Sequence, residues 1–376
     1  MMAGSMQYKI PFIKPVFPAP EVMAEDYKKI IASNWFTNFG PYERELSIKA
    51  TEFLGKDLHG TTVANCTLGL EIALRTLANP DKKYVIIPSF TFAAVAEVVI
   101  NSGLVPVFID IEKDSWQPSI TQAKEFIDKE STDVAGIILP NVFGVGNKAI
   151  DKWEDLAQSK QIPLIIDSAA GFGSKYSDGE FLGGRGDCEV FSFHATKPFA
   201  IGEGGLIVSK SKELIDKLRK MQNFGFNDDR TVGMIGTNAK LQELSCAIGL
   251  RQLESYADRL ELRRSIINKY QDLLSTEDVQ FQENVLLSTG AFISVTVPNK
   301  EKIFHALHDA GVQARAYYSP TLHKIPVITE KSITSFSLQN TEEVENSILS
   351  LPVIEEMNAD YIELIVDVIK KGIKEQ

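Results

Sequence analysis

With 376 residues the chain exceeds what one hydrophobic core ordinarily serves, so one large and one smaller domain are expected. Hydrophobic content of 44% and charged content of 24% are those of a globular protein, and a net charge of -11 argues against nucleic acid as the main partner, because phosphate backbones need a clustered basic surface. Cys66, Cys188 and Cys246 are too few and too scattered for a disulfide framework or a zinc site, and the absence of both a signal-peptide pattern and any apolar run near the ~20 residues that cross a bilayer leads to the expectation of a cytoplasmic protein.

Residues 7–20, with Pro11, Pro15, Pro18 and Pro20, read as an extended arm, and a helical pattern follows over 21–32. Asn34-Trp-Phe-Thr-Asn-Phe-Gly-Pro41 is an aromatic, turn-rich loop before a helix that ends near Gly55. The stretch from Val63 to Leu70 opens a helix reaching about Leu77, with Leu70, Ala73, Leu74 and Leu77 at helical spacing. Its N-terminus carries unpaired N–H groups and partial positive charge, which suits a phosphate; an ordinary cap by Thr67 is the alternative.

Continuous apolar runs at 84–88, 105–109, 134–139 and 164–166, several of them separated by helical segments, read as buried parallel strands of an α/β sheet. Asp167 ends the last of these runs, at the C-terminal sheet edge where such folds bind ligands. A second pair of apolar runs, 190–193 and 206–208, brackets a polar turn that holds Lys197. A lysine amine becomes a nucleophile only when its surroundings desolvate it or place a cation beside it. Ser192 offers an anion-binding hydroxyl nearby, and Gly202, Gly204 and Gly205 let backbone approach a ligand closely. His194 reads as a packed or hydrogen-bonding residue rather than a base, and no cluster has metal-ligand spacing.

Beyond the lysine, a helix over 212–222 leads to a helical stretch over 241–258 with Leu241, Leu244 and Ile248 at core spacing. The pattern then changes to a long charged helix, a strand over 292–297, a helix over 302–310 and a terminal helix over 361–373, which together predict a smaller α+β domain.

The run Ser192-Phe-His-Ala-Thr-Lys197 followed by Gly202-Glu-Gly-Gly205 resembles the Schiff-base segment of the DegT/DnrJ/StrS family of pyridoxal-phosphate-dependent nucleotide-sugar aminotransferases, and further matches recur from about Trp35 to His323. The resemblance implies aminotransferase fold type I: a large domain over 7–257 with an N-terminal arm and a mostly parallel seven-stranded sheet, and a small α+β domain over 258–376. It implies Lys197 and Asp167 as the catalytic pair, the lysine carrying pyridoxal 5'-phosphate and the carboxylate bonded to its pyridine nitrogen so that the ring accepts electrons. Thr67, Leu68 and Ser192 are the implied phosphate contacts, with Asn238 reaching in from the neighbouring subunit of a homodimer with shared sites. Phe92 is implied to stack on the cofactor ring, core packing being its other reading, while Cys66 in the phosphate loop predicts a slightly reshaped turn.

Tyr318 and His323 lie in a segment that resembles one facing the family's sugar cleft; they are substrate-binding candidates or, equally, loop residues with local bonds. Ala170 departs from the Gln or His that many relatives place near the cofactor's phenolic oxygen. The implied reaction moves an amino group from glutamate to a nucleotide-linked keto-deoxysugar, at C3 or C4, for amino-sugar biosynthesis such as that of lipopolysaccharide O-antigen. Dehydration on the same cofactor is one rival, disfavoured because that branch carries His where this chain has Lys197; a non-catalytic, sugar-responsive regulator of the same fold is the other, and the intact Asp167 and Lys197 argue against it.

Overall fold

The structure, a computed structural model, describes residues 8–130, 132–275 and 278–374. Eight strands form the large sheet: β1 (His59–Val63), β2 (Tyr84–Pro88), β3 (Val105–Ile109), β4 (Val134–Pro140), β5 (Leu164–Asp167), β6 (Cys188–Ser192), β7 (Gly205–Ser209) and β10 (Ile333–Thr334). Their spatial order is β1-β7-β6-β5-β4-β2-β3-β10. Only β7 runs against its neighbours, pairing antiparallel with β1 and β6, so β1 points the same way as the parallel strands. A small antiparallel sheet, in the order β11 (Ile348–Leu351), β9 (Ile293–Thr296), β8 (Gln280–Phe281), lies in the C-terminal part.

The continuous apolar runs follow from burial on both faces, because alternate residues of a strand point to opposite sides. Val85, Ile87, Ile165, Val190 and Ile207 pack with Leu70, Leu74, Val98 and Leu218 of the helices on one face. Ile86, Ile137, Leu164, Ile166, Phe191 and Leu206 pack with Leu46, Leu54, Phe126 and Trp153 on the other. A strand with such neighbours has no solvent-facing side, and no position left for alternation.

Two features differ from expectation. The resemblance implied seven strands; the eighth, β10, is two residues long and comes from the C-terminal region to pair with β3. The helical stretch over 241–258 is two helices, Glu243–Leu253 and Tyr256–Leu274. The break at Ser255 turns Tyr256 into the core, where its hydroxyl donates to Phe172 O at 2.6 Å. Within the first of these helices Leu244 is 38% exposed despite its core spacing, as is Phe36 (49%), whose carbonyl accepts the neighbouring Glu243 N–H.

Helix Tyr256–Leu274 serves two cores: Tyr256 and Leu260 pack with the large sheet, and Ile266, Ile267, Tyr270 and Leu274 pack with β9, β11 and the helices Lys300–Asp309 and Ala359–Lys374. The expected boundary at 257/258 falls inside its first turn. The N-terminal arm joins the second core through Ile10, which exchanges backbone hydrogen bonds with Gly311 and Gln313.

Asp110, just past β3, fastens the C-terminal region to the sheet edge. Its buried carboxylate accepts from Asn340 N (3.0 Å), Thr341 N (2.8 Å) and Thr341 Oγ1 (2.7 Å), the first turn of helix Gln339–Ser347, which has no cap of its own. An acceptor at a helix N-terminus satisfies donors that would otherwise be orphaned. Asp110→Ala is therefore expected to lower the apparent unfolding free energy by about 2 kcal/mol or more, read from urea denaturation; an unchanged midpoint would show that water replaces the cap at no cost.

Candidate functional site

The C-terminal ends of β1, β2, β4, β5 and β6 share one edge of the sheet, and of the expected site residues Thr67, Leu68, Phe92, Asp167, Ser192 and Lys197 lie at or just past the ends of β1, β2, β5 and β6. After β1 the chain turns at Asn65 into helix Cys66–Leu77. The cap is Asn65, whose Oδ1 accepts the Leu68 N–H at 2.9 Å; the alternative reading of Thr67 as the cap is thereby overturned. Thr67 stands exposed in the first turn, and the N–H groups of Cys66 and Thr67 have no partner among the described residues. The Leu68 N–H, by contrast, is already held by the cap. Gly205 at the start of β7 lets the lysine hairpin close onto this turn: a Cβ there would stand 2.7 Å from Phe191 O and 3.1 Å from Cys66 N.

Asp167 ends β5 with only 8% of its surface exposed. Its Oδ1 accepts from Ala169 N at 3.0 Å and lies 3.9 Å from Cys66 Sγ, while Oδ2 takes no hydrogen bond among the described residues. Burial raises its pKa to about 6; the Ala169 N–H and the Lys197 charge pull the other way. Lys197 occupies the hairpin between β6 and β7, which is closed by Phe193 N to Gly204 O (2.9 Å) and Ala195 N to Gly202 O (2.8 Å). Desolvation holds its amine below the ordinary lysine range, and the nearby Cys66 and Asp167 partly restore it. Amine and carboxylate each shift the other, so the fold has brought the two within electrostatic reach at the same sheet edge.

Ser192 ends β6, buried, with Oγ accepting the His194 N–H at 3.3 Å. His194 bonds Thr196 Oγ1 through Nδ1 (2.8 Å), and its Nε2 lies 3.5 Å from Glu203, which makes it a member of the hairpin's own bonding. Phe92 precedes helix Ala93–Asn101 with its ring 59% exposed, available to cover a flat ligand rather than packed in the core. The loop that carries it is held by His323, whose Nδ1 bonds Ser89 Oγ at 2.6 Å and whose Nε2 meets Glu342 at 3.3 Å. Both ring nitrogens of His323 are thus engaged. Tyr318 lies against Phe90 (5.4 Å between centroids) and Phe143 (5.2 Å), and burial, then the charge of Asp167, push its hydroxyl well above the ordinary tyrosine range. Ala170 has its carbonyl bonded by Thr289 Oγ1 at 2.7 Å and packs tightly on Gly144.

Asn238 is exposed, with Oδ1 accepting from Lys240 Nζ at 2.8 Å. The next carbonyl, Ala239 O, accepts the Ala64 N–H at 2.7 Å, which sets Asn238 close to the Asn65 turn of its own chain. A surface cavity of about 990 Å³, lined by Asn38, Phe39, Lys220, Asn223, Phe224 and Arg230 among others, includes none of the expected site residues.

Sequence reasoning missed the support behind Asp167. Glu189 on β6 is fully buried, accepting from Ser168 Oγ (2.8 Å), Tyr176 OH (2.9 Å) and Arg185 N (3.1 Å), and Asn141 after β4 donates to Ser168 at 2.8 Å. Burial pushes the Glu189 carboxyl up to about 7. A lone acid in an otherwise apolar strand was the available signal.

The donor set fits pyridoxal phosphate. A desolvated amine, a buried carboxylate with one oxygen free, exposed helix N–H groups beside the Thr67 and Ser192 hydroxyls, and an uncovered aromatic ring match its aldehyde, pyridine nitrogen, phosphate and ring face in turn. Among the described residues no group of His, Cys, Asp and Glu suits a metal ion, and no helix is long and apolar enough to cross a membrane.

Comparison with known proteins agrees with this fit. The model of the DegT/DnrJ/EryC1/StrS aminotransferase family matches residues 20–370. Protein Rv3402c of Mycobacterium tuberculosis is 43% identical over 98% of this chain and 91% of its own length. The dTDP-4-amino-4,6-dideoxy-D-glucose transaminase of Shigella dysenteriae is 31% identical over 92% of this chain and 94% of its own. A solved Bacillus cereus structure described as a PLP-dependent aminotransferase superposes with a TM-score of 0.90 at 32% identity, covering 96% of this chain and 99% of that one.

The Asp167 environment sets a pH dependence. Folded, the carboxyl keeps its proton up to about pH 6; unfolded, it releases it near 3.8. Between those values the folded state binds more protons, so this group's contribution to stability falls as pH rises and its full cost is present above pH 6. In cofactor-free protein, Asp167→Asn is expected to gain on the wild type by up to about 3 kcal/mol between pH 4 and pH 7, measured as the difference in urea unfolding at each pH; a gap that stays constant would contradict the assigned burial.

Proposed function

From the premise that the chain belongs to the DegT/DnrJ/EryC1/StrS aminotransferase family and is a pyridoxal-phosphate-dependent aminotransferase, we propose that it moves an amino group from glutamate to a nucleotide-linked keto-deoxysugar, at C3 or C4, in amino-sugar biosynthesis. The observation that carries this reading is the pairing of Lys197, an amine held below its ordinary pKa, with the buried Asp167 at one sheet edge. When bound, the cofactor supplies an electron-accepting ring and stores the amino group between two half-reactions, so ping-pong kinetics are expected.

The chain's own residues do the rest. Lys197 would hold the cofactor and, once its amine is free, would move a proton at the donor carbon, a role for which desolvation, by lowering its pKa, favours the uncharged amine. Asp167, with Oδ2 free and Oδ1 fixed by Ala169 N, would hold the ring nitrogen in its protonated form. Thr67, Ser192 and the first-turn N–H groups bind the phosphate, Phe92 covers one ring face, and Tyr318 lines the sugar side. His323 acts on that cleft through Ser89 and the Phe92 loop.

A homodimer in the cytoplasm is part of the proposal, with Asn238 reaching the phosphate of the neighbouring subunit. Support comes from the exposed apolar side chains of the surrounding surface, Phe36 (49%), Phe224 (47%) and Ile235 (78%), which a subunit contact would cover.

Incubation with glutamate and a panel of nucleotide-linked 3-keto and 4-keto sugars is expected to give one aminated product, and Lys197→Ala to lower kcat by on the order of 10²- to 10⁴-fold or more. Turnover by Lys197→Ala close to wild type would reject the assignment. Mixing Lys197→Ala with Asn238→Ala subunits, each impaired alone, is expected to restore activity through hybrid dimers; no recovery on subunit exchange would show that the site is not shared.

A further inference from the structure

The backbone immediately after Lys197 is gripped by side chains from outside the sheet. Arg259 Nη2 donates to Pro198 O at 2.9 Å, and Gln252 Nε2 donates to Ala200 O at 2.9 Å. The two gripping side chains are themselves joined, because Arg259 Nη1 donates to Gln252 Oε1. Gln252 Nε2 also reaches Val16 O in the N-terminal arm at 2.5 Å. Arg259 Nε pairs with Glu355 Oε1 at 2.8 Å, beyond the last strand of the small sheet. These groups are screened from water: the Arg259 and Glu355 side chains are 11% and 15% exposed, and Gln252 as a residue is 3% exposed.

Phe199, in the same segment, packs on Phe193 (4.7 Å), Phe172 (4.8 Å) and Tyr256 (5.1 Å), and the Arg259 guanidinium lies over the Tyr256 ring at 5.9 Å, so aromatic packing adds to the clamp. A guanidinium suits this place because its planar fork spreads five donors over three nitrogens in fixed directions, whereas an ammonium's three donors all radiate from one nitrogen. Charge-assisted bonds in a poorly hydrated site are also the stronger kind. One side chain therefore touches the lysine hairpin, the amide that holds the arm, and the C-terminal region.

We propose that Arg259 is a positioning residue for Lys197, locking the hairpin at Pro198 and tying its placement to the small domain through Glu355 and to the arm through Gln252. The proposal rests on Lys197 being the reactive amine. Arg259 itself touches neither cofactor nor substrate; it acts through the backbone that aims the lysine, where a displacement on the order of 1 Å costs up to about 10²-fold in rate.

The test uses full-length, cofactor-loaded protein and the variants Arg259→Ala, Arg259→Lys and Glu355→Gln. In each, kcat and KM for the amino donor are measured separately, together with the pH midpoint of the visible absorption band that reports the cofactor on Lys197. Arg259→Ala is expected to lower kcat by on the order of 10- to 10²-fold with KM little changed, and to move the band midpoint. Arg259→Lys, keeping the charge but with its donors on a single nitrogen, recovers part of the rate, and Glu355→Gln shows a smaller fall in kcat in the same direction. Wild-type kcat and an unmoved band in Arg259→Ala would overturn the proposal. Should that variant fail to fold, an unchanged kcat and band in Glu355→Gln would overturn it instead. Absence of the band and of turnover in the wild type would reject the function reading, a result distinct from a wild type that turns over and variants that match it.

Discussion

Two opposite charges share one desolvated edge of the large sheet, and much of the architecture exists to keep them there. Neither Asp167 nor Lys197 is comfortable: burial drives the acid's pKa up and the amine's down, so each is poised nearer neutrality than its free counterpart. Mutual attraction recovers part of that cost, and the hydrogen bond from Ala169 N, with the longer contact from the Cys66 thiol, orients the acid without neutralising it. An edge built from strand ends is suited to this role. Side chains project from rigid backbone into the crevice there, and the first helix turn adds fixed dipoles instead of mobile ions.

The support around the pair is graded by depth. Beneath Asp167 lies a second, fully buried acid, Glu189, whose bonds to Ser168, Tyr176 and the Arg185 N–H hold the turn that follows β5. Beneath Lys197 lies an aromatic stack of Phe193, Phe199, Phe172 and Tyr256, with Arg259 and Gln252 closing it from the C-terminal side. Buried polar networks of this kind are costly unless every member is satisfied, and when satisfied they hold one geometry. The acid side is held by hydrogen bonds within the sheet layer and by Thr289 Oγ1 on the Ala170 carbonyl, and the lysine side by Arg259 and by Gln252, which also bonds the arm.

The C-terminal region is fastened to the sheet by small, specific joints. β10 adds two residues to the edge beside β3, Asp110 caps helix Gln339–Ser347, and His323 reaches Ser89. Ile10 carries the arm into the second core. With helix Tyr256–Leu274 shared by both cores, the site is framed by elements far apart in sequence, as the small size of each joint requires.

What could be read from residues alone was whatever local chemistry decides. Continuous apolar runs at β2, β3, β4 and β5 signalled strands buried on both faces, because period and composition are local properties. Asp167 at a strand end and Lys197 in a glycine-flanked turn were likewise legible from their immediate neighbours. Tertiary structure alone decided the rest. Asn65 rather than Thr67 caps the phosphate helix because loop geometry, not residue type, selects among capping residues. Leu244 is exposed because helix Glu243–Leu253 turns that face outward, and β10 is too short for any periodicity. Glu189, Gln252, Arg259 and Glu355 matter only through partners distant in sequence, 96 positions between Arg259 and Glu355 and 236 between Gln252 and Val16. No local pattern announces such a pairing, since its energy exists only once folding has removed the water that would otherwise satisfy both charges.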